Sequence, residues 1–334
     1  MGRVSNENPT GRHAREPVDT GPAAAGEVAL AASLLADPAT PHGQRQIAEY
    51  VRVACAQPPP AGLWVARRSG RPVAATLLVL SPGRTAMLLP SPNAPVPALS
   101  AVLESAVQAA REAGSVLCQS LVDPWDESAI NALTAARFSR LAELVYLERT
   151  CRGTSDERGQ PAPQGMRLLN YREDLRHRFS QTIVASYVES LDCPGLGVGL
   201  DPQDILADHQ ATGEFRADLW YLVQLDGRDV AVLLLAPIPS ADAMELVYLG
   251  LVPEARGRGI GDALLRLAIR RTAESGRPRL TLAVDSANDP ALRLYFRHGL
   301  RRSASRLAFV RRLGSDGISP GDPQSGSQRE ELVG

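Results

Sequence analysis

Glu245-Leu-Val-Tyr-Leu-Gly-Leu-Val-Pro-Glu-Ala-Arg-Gly-Arg-Gly-Ile-Gly261 is the stretch that decides the fold. As far as Val252 it is almost wholly apolar and reads as a buried strand, ended by Pro253. Glycines at 257, 259 and 261 follow on alternate positions. Ile260, Leu264, Leu267 and Ala268 then recur at helical spacing. A strand that runs through a glycine-rich turn into a helix N-terminus forms an anion site. The first helical N–H groups have no intrahelical partner, and the helix dipole adds partial positive charge there. Glycine allows positive φ and a close backbone approach. Arg256 and Arg258 add fork-shaped donors, so the expected ligand is a di- or polyphosphate. A Walker loop is excluded because no Gly-Lys-Ser/Thr is present. A dinucleotide fingerprint fails because Asp262 stands where its third glycine belongs.

Downstream, the strand Leu280-Thr-Leu-Ala-Val-Asp285 leads to Asn288-Asp-Pro290 and then Ala291-Leu-Arg-Leu-Tyr-Phe-Arg-His-Gly299. Asn288 or Asp289 suits a helix cap, Pro290 the first turn and Gly299 the C-terminal end. Asn288 and Tyr295 are about two helical turns apart and share nearly one face.

Together these segments resemble the GNAT superfamily of acyl-CoA-dependent N-acyltransferases. Arg256-x-x-Gly259-x-Gly261 after Leu251-Val-Pro253 matches the pyrophosphate motif. Asn288, Ala291, Tyr295 and Gly299-Leu300 match the pattern that follows it. The resemblance covers residues 166–313. It implies acetyl-CoA as acyl donor, with the pyrophosphate held by Arg256, Gly257, Arg258, Gly259, Ile260 and Gly261. Pantetheine would lie along Leu249, Gly250 and Leu251 and touch Asn288. Tyr295 would protonate the departing thiolate and Glu245 would act as base, with Glu189 and Asp192 as weaker candidates. Read without the family, Tyr295 is a packed aromatic on an amphipathic helix and Glu245 a solvated strand-end carboxylate. The activity implied is transfer of an acetyl group to a primary amine by direct attack in a ternary complex. A non-catalytic acyl-CoA sensor is the alternative.

Earlier in the chain the same outline recurs. Leu63 to Leu80 is two strand-like runs around Ser69-Gly70, and Trp220 to Pro237 repeats the plan around Asp226-Gly227. Asp123 to Phe138 parallels Asp285 to Leu300, which sets Asp126 against Asn288 and Leu133 against Tyr295. Pro90-Ser-Pro-Asn-Ala-Pro-Val-Pro97 replaces the glycine loop, and proline has no N–H to offer a phosphate. The expected organisation is α/β with mixed sheets, as two tandem GNAT-like domains. Residues 27–150 form a degenerate copy and 166–313 the catalytic one. A linker spans 151–165, and residues 1–26 and 314–334 read as disordered tails.

The chain of 334 residues has a net charge of -1, and all of its basic residues are Arg. No basic block is present, which argues against nucleic acid as partner. Neither Cys nor His spacing suggests a metal site, and Cys55, Cys118, Cys151 and Cys193 read as reduced thiols. No apolar run has membrane-spanning length and no secretory leader is evident, so a cytoplasmic location is expected. The acceptor is expected to be a small-molecule or peptide amine.

Overall fold

The computed structural model describes residues 18–36, 38–151 and 162–313. The expected C-terminal tail, 314–334, and the linker residues 152–161 lie outside the described residues. In the first half the strands are β1 (Asp19–Pro22), β2 (Gly62–Arg68), β3 (Arg71–Leu80), β4 (Thr85–Pro90), β5 (Leu117–Val122) and β6 (Ser139–Thr150). Its helices are α1 (Val28–Ser33), α2 (Pro41–Ala56), α3 (Val96–Glu112) and α4 (Glu127–Ala135). The second half repeats the order: β7 (Met166–Asn170), α5 (Arg176–Ser186), α6 (Pro202–Gln210), β8 (Trp220–Leu225), β9 (Arg228–Ile238), β10 (Ala243–Leu251), α7 (Ile260–Glu274), β11 (Arg279–Asp285), α8 (Asp289–Arg297) and β12 (Arg301–Arg312).

Local chemistry explains the hairpins. Ser69-Gly70 and Asp226-Gly227 both place two consecutive residues at positive φ, between +49° and +80°. That is the turn whose twist matches paired antiparallel strands. Each half then buries apolar residues on both faces of its strands. In the first half α3 and α4 cover one face through Leu99, Leu103 and Leu133, and α1 and α2 cover the other. In the second, α7 and α8 cover one face, and α5 and α6 pack Phe179 and Ile183 on Leu222, Val232 and Leu234 of the other.

All strands join one 12-stranded sheet, in the order β1-β2-β3-β4-β5-β12-β6-β11-β10-β9-β8-β7. The two halves therefore exchange their last strands. β12 pairs with β5, while β6 pairs with β11 and with β12. Side-chain alternation makes the exchange a packing matter. Leu307 and Phe309 of β12 enter the first-half core, and Val145 and Leu147 of β6 enter the second-half core. Each core is therefore incomplete without a strand of the other half.

Of the expected tail 1–26, residues 1–17 lie outside the described residues, and the rest is corrected. Asp19–Pro22 is not part of a tail but a strand antiparallel to β2, with Thr20 Oγ1 2.7 Å from Ser105 Oγ and Arg67 bridging Asp19 and Glu27. So short a strand, with Gly21 and Pro22 in it, has no periodicity to read.

The halves also meet through α6. The Asp208 carboxylate accepts from Gly83 N–H at 2.9 Å, Thr85 Oγ1 at 2.8 Å and Ser81 Oγ. Asp204 pairs with Arg84 at 2.6 Å. A Cβ on Gly83 would overlap the Asp204 carbonyl, so that approach requires glycine.

Candidate active site

β10 and β11 run parallel and pair only from Ala243↔Arg279 to Glu245↔Thr281. Beyond Glu245, from Leu246 to Leu251, β10 has no ladder partner on that side. On its other side it stays paired with β9, with a bulge between Leu246 and Tyr248. The bulge sets Val247 and Tyr248, consecutive residues, against the same α5/α6 core. The opened gap leads into a cavity of about 820 Å³ lined by β10, the glycine loop, α7, α8 and the segment after α5.

At one end of the cavity lies the N-terminus of α7. Gly257 and Gly259 adopt φ of +73° and +77°, and the helix has no side-chain cap. The first amide with a helical partner is Ala263, which donates to Gly259 O, so the amides of Ile260, Gly261 and Asp262 are uncommitted by the helix. Asp262 would repel an anion here, but it is paired with Arg266 and hydrogen-bonded to His298 Nε2 at 2.6 Å. Burial acts to raise its carboxyl, yet the hydrogen bond from His298 and the Arg266 charge hold it below the ordinary range.

Tyr295 on α8 is 6% exposed and part of the same cavity wall. Among the described residues no protein group bonds its hydroxyl. Burial, then the negative charge of Asp192 and the neighbouring Tyr248, raise its pKa, so it stays protonated through the physiological range. Asn288 lines the cavity and caps α8 by accepting the Ala291 N–H at 3.3 Å. Asp192 accepts the Asp285 N–H at 2.8 Å, and the Asp285 carboxylate takes the Cys193 N–H at 3.1 Å. Burial, opposed by these hydrogen bonds and supported by the Asp285 charge, raises the Asp192 carboxyl.

Of the residues singled out in the sequence, Leu249, Gly250, Leu251, Arg256, Gly257, Gly259, Gly261, Asn288 and Tyr295 all line this cavity. Ile260 contributes its amide at the helix start while its side chain is buried in the core, and Arg258 is exposed beside the loop. Glu245 stands apart. It is the last paired residue of β10, burial raises its carboxyl, and it is not in the cavity wall. Arg256 lines the cavity, but its guanidinium is committed to backbone carbonyls.

Sequence reasoning overlooked Ser186 and Tyr248, whose hydroxyls lie 2.7 Å apart on the cavity wall, with His209 stacked on Tyr248 at 5.2 Å. The bulge that turns Tyr248 to this side leaves no trace in simple alternation. Burial lowers His209 to about 4, so its ring is neutral.

In the matching region of the first half the two strands stay together one residue pair further. β4 and β5 stay paired from Thr85↔Leu117 to Leu88↔Ser120, and Ser120 Oγ adds a bond to Leu88 O at 2.9 Å. Asp126 occupies the capping place of Asn288 and accepts from Ala129 N–H, and Leu133 is fully buried in the place of Tyr295.

Residues 187–300 match the model of the acetyltransferase (GNAT) family. The chain carries a GNAT acetyltransferase domain. The match starts at Tyr187, at the end of α5, and runs through α8, so it contains the splayed strands, the glycine loop and Tyr295. Mycothiol acetyltransferase from Jonesia denitrificans is 34% identical over 98 residues, which are 29% of this chain and 31% of that protein. The enzyme of that name from Corynebacterium glutamicum strain ATCC 13032 is 28% identical over 106 residues, 30% of this chain and 36% of that protein. The chain thus matches about a third of these relatives' length. A GCN5-related N-acetyltransferase from Sphaerobacter thermophilus has the same fold across 90% of this chain and 97% of its own, at a TM-score of 0.60 and 15% identity. The GNAT fold therefore extends over both halves, although the family model matches only the second.

Proposed function

We propose that the chain is an N-acetyltransferase that uses acetyl-CoA to acetylate a primary amine, with one active centre, in the second half. The carrying observation is the strand gap between β10 and β11 that opens into the uncapped α7 N-terminus. A pyrophosphate fits the amides of residues 257–261, and an extended pantetheine arm fits the unpaired edge of Leu246–Leu251. The thioester then lies toward Tyr295. The neutral amine attacks the thioester carbonyl carbon, the C–S bond breaks, and the amine's extra proton passes to a carboxylate. Glu245, which stands outside the cavity wall, is that base and is reached through water. Tyr295 returns a proton to the departing thiolate. A protonated tyrosine with no protein partner in the cavity favours an enzyme over an acyl-CoA sensor, which has no need of one.

The first half is read as a silent copy, because its strands stay paired where the second half's separate and Leu133 cannot donate a proton. The acceptor is a small-molecule or peptide amine. The relatives' name makes an acceptor of the mycothiol type a sensible first trial. Thiol release from acetyl-CoA, followed across a panel of primary amines, tests the reading. An acceptor that turns over with the chain and not with Tyr295→Phe supports it, and stoichiometric acetyl-CoA binding without turnover of any amine would favour the sensor.

A further inference from the structure

The two arginines of the glycine loop are indistinguishable in sequence, but their environments are opposite. Arg256 is tied down on every side. Nε donates to Leu251 O at 3.2 Å and Nη1 to Glu189 O at 3.0 Å. Nη2 donates to both Ser186 O at 3.0 Å and Val188 O at 2.6 Å. A guanidinium has five N–H donors, so nearly all are engaged. Even the Arg256 amide is taken, by Pro253 O at 3.1 Å. Turning the side chain to a phosphate would strand several carbonyls at the C-terminal end of α5, where the helix dipole is negative and a cation is favoured. Arg258 is exposed, and among the described residues it makes no hydrogen bond or ion pair.

What Arg256 holds is informative. Ser186 bonds Tyr248 on the cavity wall, and the segment continues through Glu189, at a φ of +52°, to Asp192. Asp192 is fixed in turn by accepting the Asp285 N–H at 2.8 Å at the open end of β11. This segment forms part of the cavity wall, and among the described residues only Arg256 hydrogen-bonds it to the glycine loop.

On the reading that this cavity takes CoA, we propose that Arg256 is a positioning residue and not a phosphate ligand. It couples the wall 186–192 to the glycine loop, so that filling the loop orders the wall against which the acceptor amine must dock. Arg258 supplies the mobile positive charge for the phosphates. The family motif thus conceals a division of labour between a strut and a counter-ion.

The test uses the full chain and CoA itself. Calorimetric titrations are run at about 0.01 M and about 0.15 M ionic strength, where screening lengths are about 30 and 8 Å. Amide hydrogen exchange of residues 186–193 is followed with and without CoA. Arg258→Gln should weaken CoA binding at low salt and flatten its salt dependence. Arg256→Gln should keep the wild-type salt dependence, with affinity changed by less than about threefold, while residues 186–193 exchange about tenfold faster in the complex. Arg256→Lys keeps the charge but not the fork, and should loosen the same residues equally. A flattened salt dependence in Arg256→Gln, or wild-type exchange in Arg256→Lys, would overturn the assignment even though CoA binds. Failure of the wild-type chain to bind CoA at all would instead remove the functional reading beneath it.

Discussion

Replacing Asp208 by alanine should destabilise the whole chain and not only the helix that carries it. The Asp208 carboxylate accepts from the Gly83 amide, the Thr85 hydroxyl and the Ser81 hydroxyl, all in the other half. Hydrogen bonds to a charged group contribute roughly 1.5–3 kcal/mol each when intact, and solvent at this partly exposed seam recovers some of that on truncation. A loss of about 2–4 kcal/mol is therefore expected. Its neighbour provides the internal control. The Arg84–Asp204 pair has Arg84 53% exposed, so Arg84→Ala should change stability by no more than about 1 kcal/mol. Gly83→Ala should be at least as damaging as Asp208→Ala, because the new methyl meets backbone rather than a movable side chain. Urea unfolding monitored by circular dichroism and by tryptophan fluorescence measures all three. Because β6 and β12 complete each other's cores, both probes should report one coincident transition. A change below about 0.5 kcal/mol in Asp208→Ala, or two resolved transitions for the halves, would refute this account of how they are joined.

Other expectations concern the site. Tyr295→Phe keeps the ring and its packing, so turnover should fall ~10²–10⁴-fold with CoA affinity nearly unchanged; a loss under about threefold with a saturating acceptor returns Tyr295 to a packing role. Gly261→Ala should bind CoA almost normally, since its Cβ would meet only Leu294 Cδ2 at 3.5 Å, whereas Gly259→Ala is strained at φ +77° and should weaken binding about tenfold, both read by calorimetry. Burial raises the Glu245 carboxyl, so if it is the base, turnover should fall with decreasing pH through a value above the ordinary carboxylate range, and Glu245→Gln should remove that limb. Persistence of the limb in Glu245→Gln would transfer the role to Asp192, which lines the cavity. The linkage sign follows from the same shift: the folded state holds this proton to higher pH than the unfolded chain, so stability falls as pH rises through the window, and Glu245→Gln should melt no lower than wild type at pH 8.

The site was legible in the sequence wherever backbone geometry follows from residue type. Glycines at 257 and 259 announced positive φ and Pro253 the strand end, and Asn288 or Asp289 offered a cap, which Asn288 makes. What stayed hidden depends on contacts between distant segments. The exchange of β6 and β12 is invisible because both strands are 12 residues long, and neither length nor residue type says which half a strand completes. The four carbonyls around Arg256 come mostly from residues 186–189, far away in sequence, so the motif alone suggested a phosphate ligand. Glu245 was placed correctly on its strand, but the point where β10 and β11 part sets it outside the cavity wall, a matter of register and not of residue type. Asp19–Pro22 acquires its structure only by pairing with β2.

The central claim is a single CoA site built from the β10–β11 gap and the glycine loop. Isothermal titration of the purified chain with CoA tests it most directly. The account predicts one CoA per chain, lost in Gly259→Pro, which removes an amide donor and forbids the φ of +77°, and retained when Ala94 in the first-half loop is changed to glycine. Two CoA molecules per chain, or heat of binding that survives Gly259→Pro, would contradict it.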